Sequence, residues 1–438
     1  MKKVKRFLCF VLIIVMLFGT LSVQSTFAKS SIATSGKLGT NLKWAYKDGT
    51  LAIKGTGKMD YIGYVQDFPW YPLKDSIQKV VVKAGVTSIT CNAFYQYKNL
   101  KSFSIPETLE EIEPDALEGT AWYNAQPNGP VYFAHILYGY KGTMPEQYKL
   151  KVKNGTTAIT RLSFQSCENL VRVSIPDSVT YIGDSAFCIC HSLASVRMSK
   201  NLTYAGNGIF EDSIWIGKQP NGLLYLGHVA QYYIGTIPNN TTLKLKKGTT
   251  GISAGAFVLQ PGLTGIRIPE TVTRIGAGAF DGTSLKKIYI PKSVTDIEYH
   301  MIESLKLRSI TVDPENPVYT SDKNGCLFNK RMTILYQYPA ANKSETYQVP
   351  STVKIIAGFA FAKCNILKKI TLPAKVRTIQ DSAFLFCKNL KKIVIKNPKC
   401  NIFDDDYTIN YTATIYGYAG STAQAYAEKY NRTFVAIR

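Results

Sequence analysis

The chain has 438 residues, 45% of them hydrophobic, and carries 52 Lys and Arg against 30 Asp and Glu for a net charge of +22. That length suits two or three globular domains or one extended repeat array. The cationic excess favours anionic partners, whether wall polymers, acidic glycans, membrane surfaces or nucleic acid.

At the N-terminus, Lys2, Lys3, Lys5 and Arg6 precede the apolar run Phe7 to Leu21, and Thr26-Phe27-Ala28 offers small residues for cleavage. Residues 1–28 therefore read as an export signal. The run is short for a span of about 20 apolar residues, and no later segment approaches that length. The terminal Thr433 to Arg438 is neither a hydrophobic tail nor a sorting signal. The expected product is extracellular, either secreted or held non-covalently at the cell wall, with no stable membrane span. Without the four cations of the signal its charge is still +18, and export makes nucleic acid the least suitable anion.

Residues 29–75 read as a β capping module. The Asp48-Gly49 pair supplies a hairpin turn, and Phe68-Pro69-Trp70-Tyr71 leads into the first rung. From 76 to 400 one phrase recurs every 22 or 23 residues. Its clearest copy runs Leu170-Val171-Arg172-Val173-Ser174-Ile175-Pro176, then Val179-Thr180-Tyr181-Ile182-Gly183, then Ala186-Phe187 and Cys190. Leu263, Leu285 and Leu367 open further copies. The first apolar-x-apolar step predicts a strand ended by Pro, which has no amide to donate. Val-Thr-x-Ile-Gly predicts a second strand and a turn, and Ala-Phe a helical turn that pushes Phe inward. One rung buries too little by itself, so stacked neighbours must share a continuous core.

Three inserts interrupt the ladder near 120–147, 213–241 and 313–345. Trp122, Gln126-Pro127-Asn128-Gly129, Tyr132 and His135 recur as Trp215, Gln219-Pro220-Asn221-Gly222, Tyr225 and His228, at a constant offset of 93. Asn-Gly between apolar stretches predicts a two-stranded ribbon attached to one side of the array. Residues 401–438, with helical spacing from Ser421 to Tyr430 and an apolar strand from Phe434 to Ile437, read as a C-terminal cap.

These repeats resemble the bacterial surface leucine-rich repeats of the BspA-like family, and the opening β module and closing segment are similar to that family's ends. The fold class expected is a β-rich repeat solenoid, a leucine-rich-repeat-like right-handed array with short helical turns, β-hairpin inserts and terminal caps. The resemblance implies a bacterial source and a role in adhesion or protein interaction, without naming a ligand.

Cys167, Cys190, Cys364 and Cys387 stand three residues after the Phe of the phrase, so they occupy equivalent positions and read as small buried core residues. Four His residues lie beyond the signal, at 135, 191, 228 and 300, two of them the same duplicated insert position. There is no HExxH, GxSxG, P-loop or dinucleotide fingerprint, and Asp404-Asp405-Asp406 lacks the spacing of a calcium loop. The chain is expected to be a monomer without enzymatic activity, cofactor or metal.

The candidate site is the outer face of the first strands, where the residues flanking the inward apolar position point away from the core. Those two columns include Lys79, Lys149, Lys151, Arg172, Arg197, Lys244, Arg267, Lys287, Tyr289, Lys369 and Lys392, and contain no acidic residue. Lys151, Arg172, Arg197, Lys244, Arg267, Lys287, Tyr289, Lys369 and Lys392 are the ligand-binding candidates, repeating at a strand spacing of about 4.8 Å. The partner expected is an extracellular protein or an anionic polymer of a host surface, matrix or wall. The alternative is a carbohydrate or wall-polymer module stacking sugars on Trp70, Trp122, Trp215 and tyrosines, which exposed rings would favour and buried rings count against.

Overall fold

A computed structural model describes residues 32–298 and 300–438; the signal read at 1–28 lies outside the described residues. The β-branched and aromatic alternation of the first step forms strands such as Lys79–Val82, Tyr148–Lys151, Leu170–Ser174, Leu263–Arg267, Lys287–Ile290 and Lys369–Leu372. These stack in parallel, one per rung, as a long-strand sheet. The second step gives two-residue strands, for instance Ala158–Ile159, Tyr181–Ile182 and Tyr204–Ala205, paired in parallel as a short-strand ladder. Each ladder turns one apolar column inward: Val173, Ile182, Ile275 and Ile370 retain no solvent contact.

Three strands, Ser35–Leu38, Leu42–Lys47 and Thr50–Gly55, form an antiparallel meander whose last member pairs in parallel with Lys79–Val82. The N-terminal module is thus the beginning of the long-strand sheet. Asp48 and Gly49 both adopt positive φ, 45° and 75°, as a tight hairpin turn requires. At the other end the helix Thr422–Lys429, with Ser421 accepting the Gln424 amide, packs Ala423, Tyr426 and Ala427 onto the core, and Phe434–Ala436 adds an edge strand to Thr414–Gly417.

The inserts depart from the expected side ribbons. Gly129–Phe133 pairs with Ile136–Lys141, and Gly222–Leu226 with Val229–Ile234, but the returning strand of each then joins the short-strand ladder, against Ala158–Ile159 and Gly251–Ile252. The third insert has three strands, and Ile334–Gln337 enters the ladder beside Ile355–Ile356. Nor do Asn128-Gly129 and Asn221-Gly222 make the reversals. Buried Val131, Phe133 and Ile136 leave only Ala134 and His135 free to turn, so the hairpin closes there.

The Ala-Phe segment keeps Phe inside but is not an α-helical turn. It is a pair of tight turns with left-handed residues two before and two after the Phe, as at Leu162 and Ser166 (φ 59° and 58°) or Ser185 and Ile189 (φ 53° and 58°). This geometry aims alternate amides at the next rung. Leu162, Phe164 and Ser166 donate to the carbonyls of Asp184, Ala186 and Cys188 at 2.8–3.0 Å, and Ser185, Phe187 and Ile189 to Asn207, Ile209 and Glu211 at 2.8–2.9 Å. A third ladder therefore runs along the molecule, with its donors all pointing towards the C-terminus. Beneath it the Phe rings stack, Phe164 on Phe187 at 5.3 Å and Phe187 on Phe210 at 5.4 Å.

The core divides into four clusters, and the breaks between them fall at the three inserts. Among the described residues no helix is long and apolar enough to cross a membrane.

Candidate binding surface

The long-strand sheet carries the candidate residues on its outer face because its inner face is committed to the core. Pairing aligns Lys149, Arg172 and Ser195 in one column and Lys151, Ser174 and Arg197 in the other. After the second insert Lys244 stands beside Arg267. Lys287 and Tyr289 stand beside Ser309 and Thr311, and Lys369 lies between Thr346 and Lys392. The pairing runs in segments, broken at the inserts and also between Arg267 and Lys287, so the candidates come together as Lys151, Arg172 and Arg197, then Lys244 and Arg267, then Lys287 and Tyr289, and last Lys369 and Lys392.

Lys151, Arg172, Arg197, Lys244, Arg267, Lys287 and Lys369 are exposed. Ion pairs form next to the face, Lys292 with Glu315 at 2.6 Å and Lys368 with Glu345 at 2.7 Å, while the cations of the face take no part in one among the described residues. Lys244 beside Arg267, and Lys369 beside Lys392, place like charges on adjacent strands, which is destabilising unless something neutralises them. Small hydroxyl residues, Ser174, Ser195, Ser309, Thr311 and Thr371, separate the other cations.

Two candidates are engaged within the chain. Lys392 is half-buried, its ammonium 3.7 Å from the centre of the Tyr416 ring. The Tyr289 hydroxyl donates to Asp313 at 2.5 Å, and this bond pushes the phenol up to about 12 and holds the Asp313 carboxyl below its ordinary value. Asp313 and Glu315 make an acidic margin there that the two sequence columns do not contain.

The short-strand ladder carries a second ordered cluster. Tyr181 and Tyr204 stack at 4.3 Å, and the Arg274 guanidinium sits 4.2 Å from the Tyr204 ring while pairing with Glu298 and with Asp296 at 3.5 Å. A cavity of about 240 Å³ beside it is lined by Asp184, Asn207, Ser253 and Arg274. All three aligned residues occupy the variable position of Val-Thr-x-Ile-Gly, so a reading of that column would have found them.

The tryptophans do not form an exposed row. Trp70 has no solvent contact and donates its indole N–H to the Ala93 carbonyl at 3.3 Å. Trp122 and Trp215 take the Leu position of a rung and lie edge-on against Phe133 and Phe210 at 4.8 and 4.9 Å. The histidines lie in different surroundings: His135 bonds the Leu109 carbonyl, exposed His191 bonds Glu168, and His300 lies 3.7 Å from both Asp281 and Glu303. Cys190 and Cys387 donate to the Phe164 and Phe361 carbonyls, and burial pushes the Cys190 thiol up to about 12, far from the thiolate needed for nucleophilic work. Asp404 is bound to Lys429 at 2.5 Å and to the Tyr430 hydroxyl at 2.8 Å, tying the acidic turn to the end of the C-terminal helix.

A solenoid of short rungs with a hydrogen-bonded sheet along one side is a leucine-rich-repeat architecture, a class whose stacked units offer extended surfaces for protein interaction. The family model for the BspA type leucine rich repeat region matches residues 70–126, 144–221, 229–329 and 336–414, in six copies, and the chain belongs to that family. No curated protein matches it. Similar solved structures include a leucine-rich repeat protein from Eubacterium ventriosum, 21% identical over 88% of this chain and 79% of that one, with a TM-score of 0.33. A leucine rich cell surface protein from Faecalibacterium prausnitzii is 18% identical over 93% and 95%, with a TM-score of 0.35. A leucine-rich repeat protein from Bacteroides ovatus is 17% identical over 91% and 99%, with a TM-score of 0.31.

Proposed function

We propose that this chain is an exported, surface-associated binding protein without catalytic activity, which mediates adhesion by holding an acidic protein surface or anionic polymer against its long-strand sheet. The observation that carries this reading is the row of exposed cations on that face with no carboxylate partner among the described residues. Repetition at strand spacing suits an extended polyanion, since each rung adds one more weak contact to the same ligand. Such contacts are screened by salt. Family membership and the N-terminal signal support the reading, and the buried and edge-packed tryptophans count against sugar stacking.

The test is retention of the chain lacking its signal on isolated cell walls and on an acidic polysaccharide across a salt series. The comparison is with a variant carrying Gln at Arg172, Arg197, Lys244, Arg267 and Lys287. Salt-sensitive retention that the variant loses is expected. Equal retention of both proteins, or of neither, would make the face a solubilising surface only.

A further inference from the structure

At the second insert the ladder of turn amides stops. Gly208, Phe210 and Asp212 stand where Ser185, Phe187 and Ile189 stand in the preceding rung, yet their amides meet no acceptor among the described residues. The cause is topological: the hairpin Gly222–Leu226 and Val229–Ile234 contributes a strand to the short ladder but no turn segment. The next turn segment begins at Ala254. There the carbonyl of Ala256 receives the Tyr233 amide at 2.9 Å, while those of Ala254 and Val258 receive nothing. Between the two segments lies a cavity of about 700 Å³, lined by Gly208, Glu211, Asp212, Tyr232, Val258 and Asp281 among others.

The duplication supplies an internal comparison. In the first insert the residue 93 positions before Gln231 is Tyr138, whose hydroxyl receives the Leu117 amide at 3.3 Å and donates to Glu118 at 2.5 Å. Leu117 and Glu118 are the counterparts of Phe210 and Glu211. Gln231 turns away instead, donating to the Gly206 carbonyl at 2.6 Å and accepting from Ser253 at 2.9 Å. At the third insert Lys363 pairs with Glu303 and the Gln337 amide bonds the Ile302 carbonyl, and the open space beside them is a smaller cavity of about 260 Å³ lined by His300, Met301, Gln337 and Gly358. Among the described residues, the second gap joins a cavity of about 700 Å³ to the three turn amides of Gly208, Phe210 and Asp212.

We propose that this gap binds an extended basic peptide segment of a partner protein, which enters as a substitute for the missing turn segment. Its carbonyls accept from Gly208, Phe210 and Asp212, its amides donate to Ala254 and Val258, and its Lys or Arg side chains meet Glu211, Asp212 and Asp281. Donors at every second residue on one wall and acceptors at every second residue on the other match the repeat of a polypeptide backbone. Exposed Val258 and Leu259 extend the wall with apolar surface. The site is opposite in charge to the long-strand face and does not depend on the reading of that face.

The experiment is fluorescence anisotropy with a labelled heptapeptide of alternating Gly and Lys, set beside the same peptide with Glu for Lys. The Lys peptide should bind saturably and the Glu peptide should not. Gln231→Tyr, which installs the plug of the first insert, should weaken binding by about tenfold or more, about 1.4 kcal/mol. The variant with five Gln on the sheet face should bind like the parent. Hydrogen exchange on the unaltered chain gives an independent readout even if Gln231→Tyr fails to fold: the amides of Gly208, Phe210 and Asp212 should exchange faster than those of Ser185, Phe187 and Ile189 and become protected with the Lys peptide. Absence of saturable binding, undiminished binding by a folded Gln231→Tyr variant, or protection of other amides in place of these three would overturn the proposal. So would protection of the same amides on raising protein concentration alone, which would assign the gap to a second copy of the chain.

Discussion

Phe187 shows what a single residue of the repeat does. Its ring has no solvent contact and lies between Phe164 and Phe210, while its amide bonds the Ile209 carbonyl at 2.9 Å. Phe187→Ala is expected to cost about 3–5 kcal/mol, because it removes a large apolar group and leaves a cavity against both neighbours; denaturant unfolding measures it. His300 gives a pH dependence. Its imidazole lies near Asp281 and Glu303, with Lys363 on Glu303 and Phe359 against the ring, and burial outweighs the Asp281 carboxylate and lowers its pKa from 6.5. The unfolded chain therefore binds the proton more readily, and this site's contribution is complete above about 6.5 and is lost progressively as pH falls from there through the lowered value of the folded chain. The midpoint of thermal unfolding should drop between pH 7 and 5.5, and His300→Gln should flatten that slope; an unchanged slope would remove His300 as the cause. The inward Phe was legible from the repeat, but the burial of His300 was not, since its surroundings come from Asp281 one rung away and Lys363 beyond the third insert.

At the scale of the element, neighbouring rungs pack tightly where the short strand turns. A Cβ on Gly276 would come within 2.2 Å of the Ala254 amide nitrogen, and one on Gly183 within 2.5 Å of that of Arg161. Gly276→Ala should destabilise by about 1–3 kcal/mol or more, since overpacking forces the rungs apart. Differential scanning calorimetry would show it, and a neutral result would mean the rungs separate at no cost. The Val-Thr-x-Ile-Gly phrase made both the strand and this glycine readable. The turn that follows was misread as helical because its left-handed residues have no common composition: Leu162, Ser185 and Phe359 adopt the same positive φ that Gly208, Gly255 and Gly278 adopt elsewhere. Rung-to-rung hydrogen bonds impose that conformation, and they are invisible in any single rung. The insert hairpins were placed by their Asn-Gly pairs, yet burial of Val131 and Phe133 moved the reversal to Ala134 and His135.

For the whole molecule, the last rungs depend on the terminal segment. Ile393, Ile395 and Ile415 lie in one core cluster with Ala423, Tyr426 and Ala427 of the final helix. Removal of residues 401–438 uncovers this apolar end, and a terminal repeat needs a polar outer face for solubility. The truncated chain should aggregate, as size-exclusion chromatography would show; a soluble monomer with unchanged unfolding would mean the solenoid closes without its cap. The cation columns were readable across the molecule because strand alternation fixes which residues point outward. The interruption of those columns at each insert, the capture of Lys392 by Tyr416 and the acidic margin at Asp313 required the folded arrangement.

The central claim concerns that sheet face, and the most direct measurement is a lysine acetylation footprint of the chain bound to polyglutamate, read residue by residue by mass spectrometry. Lys151, Lys244, Lys287 and Lys369 should be protected while the exposed Lys98, Lys354 and Lys388, which lie off the face, react as in the free chain. Equal protection of both sets, or protection confined to the second, would contradict the account.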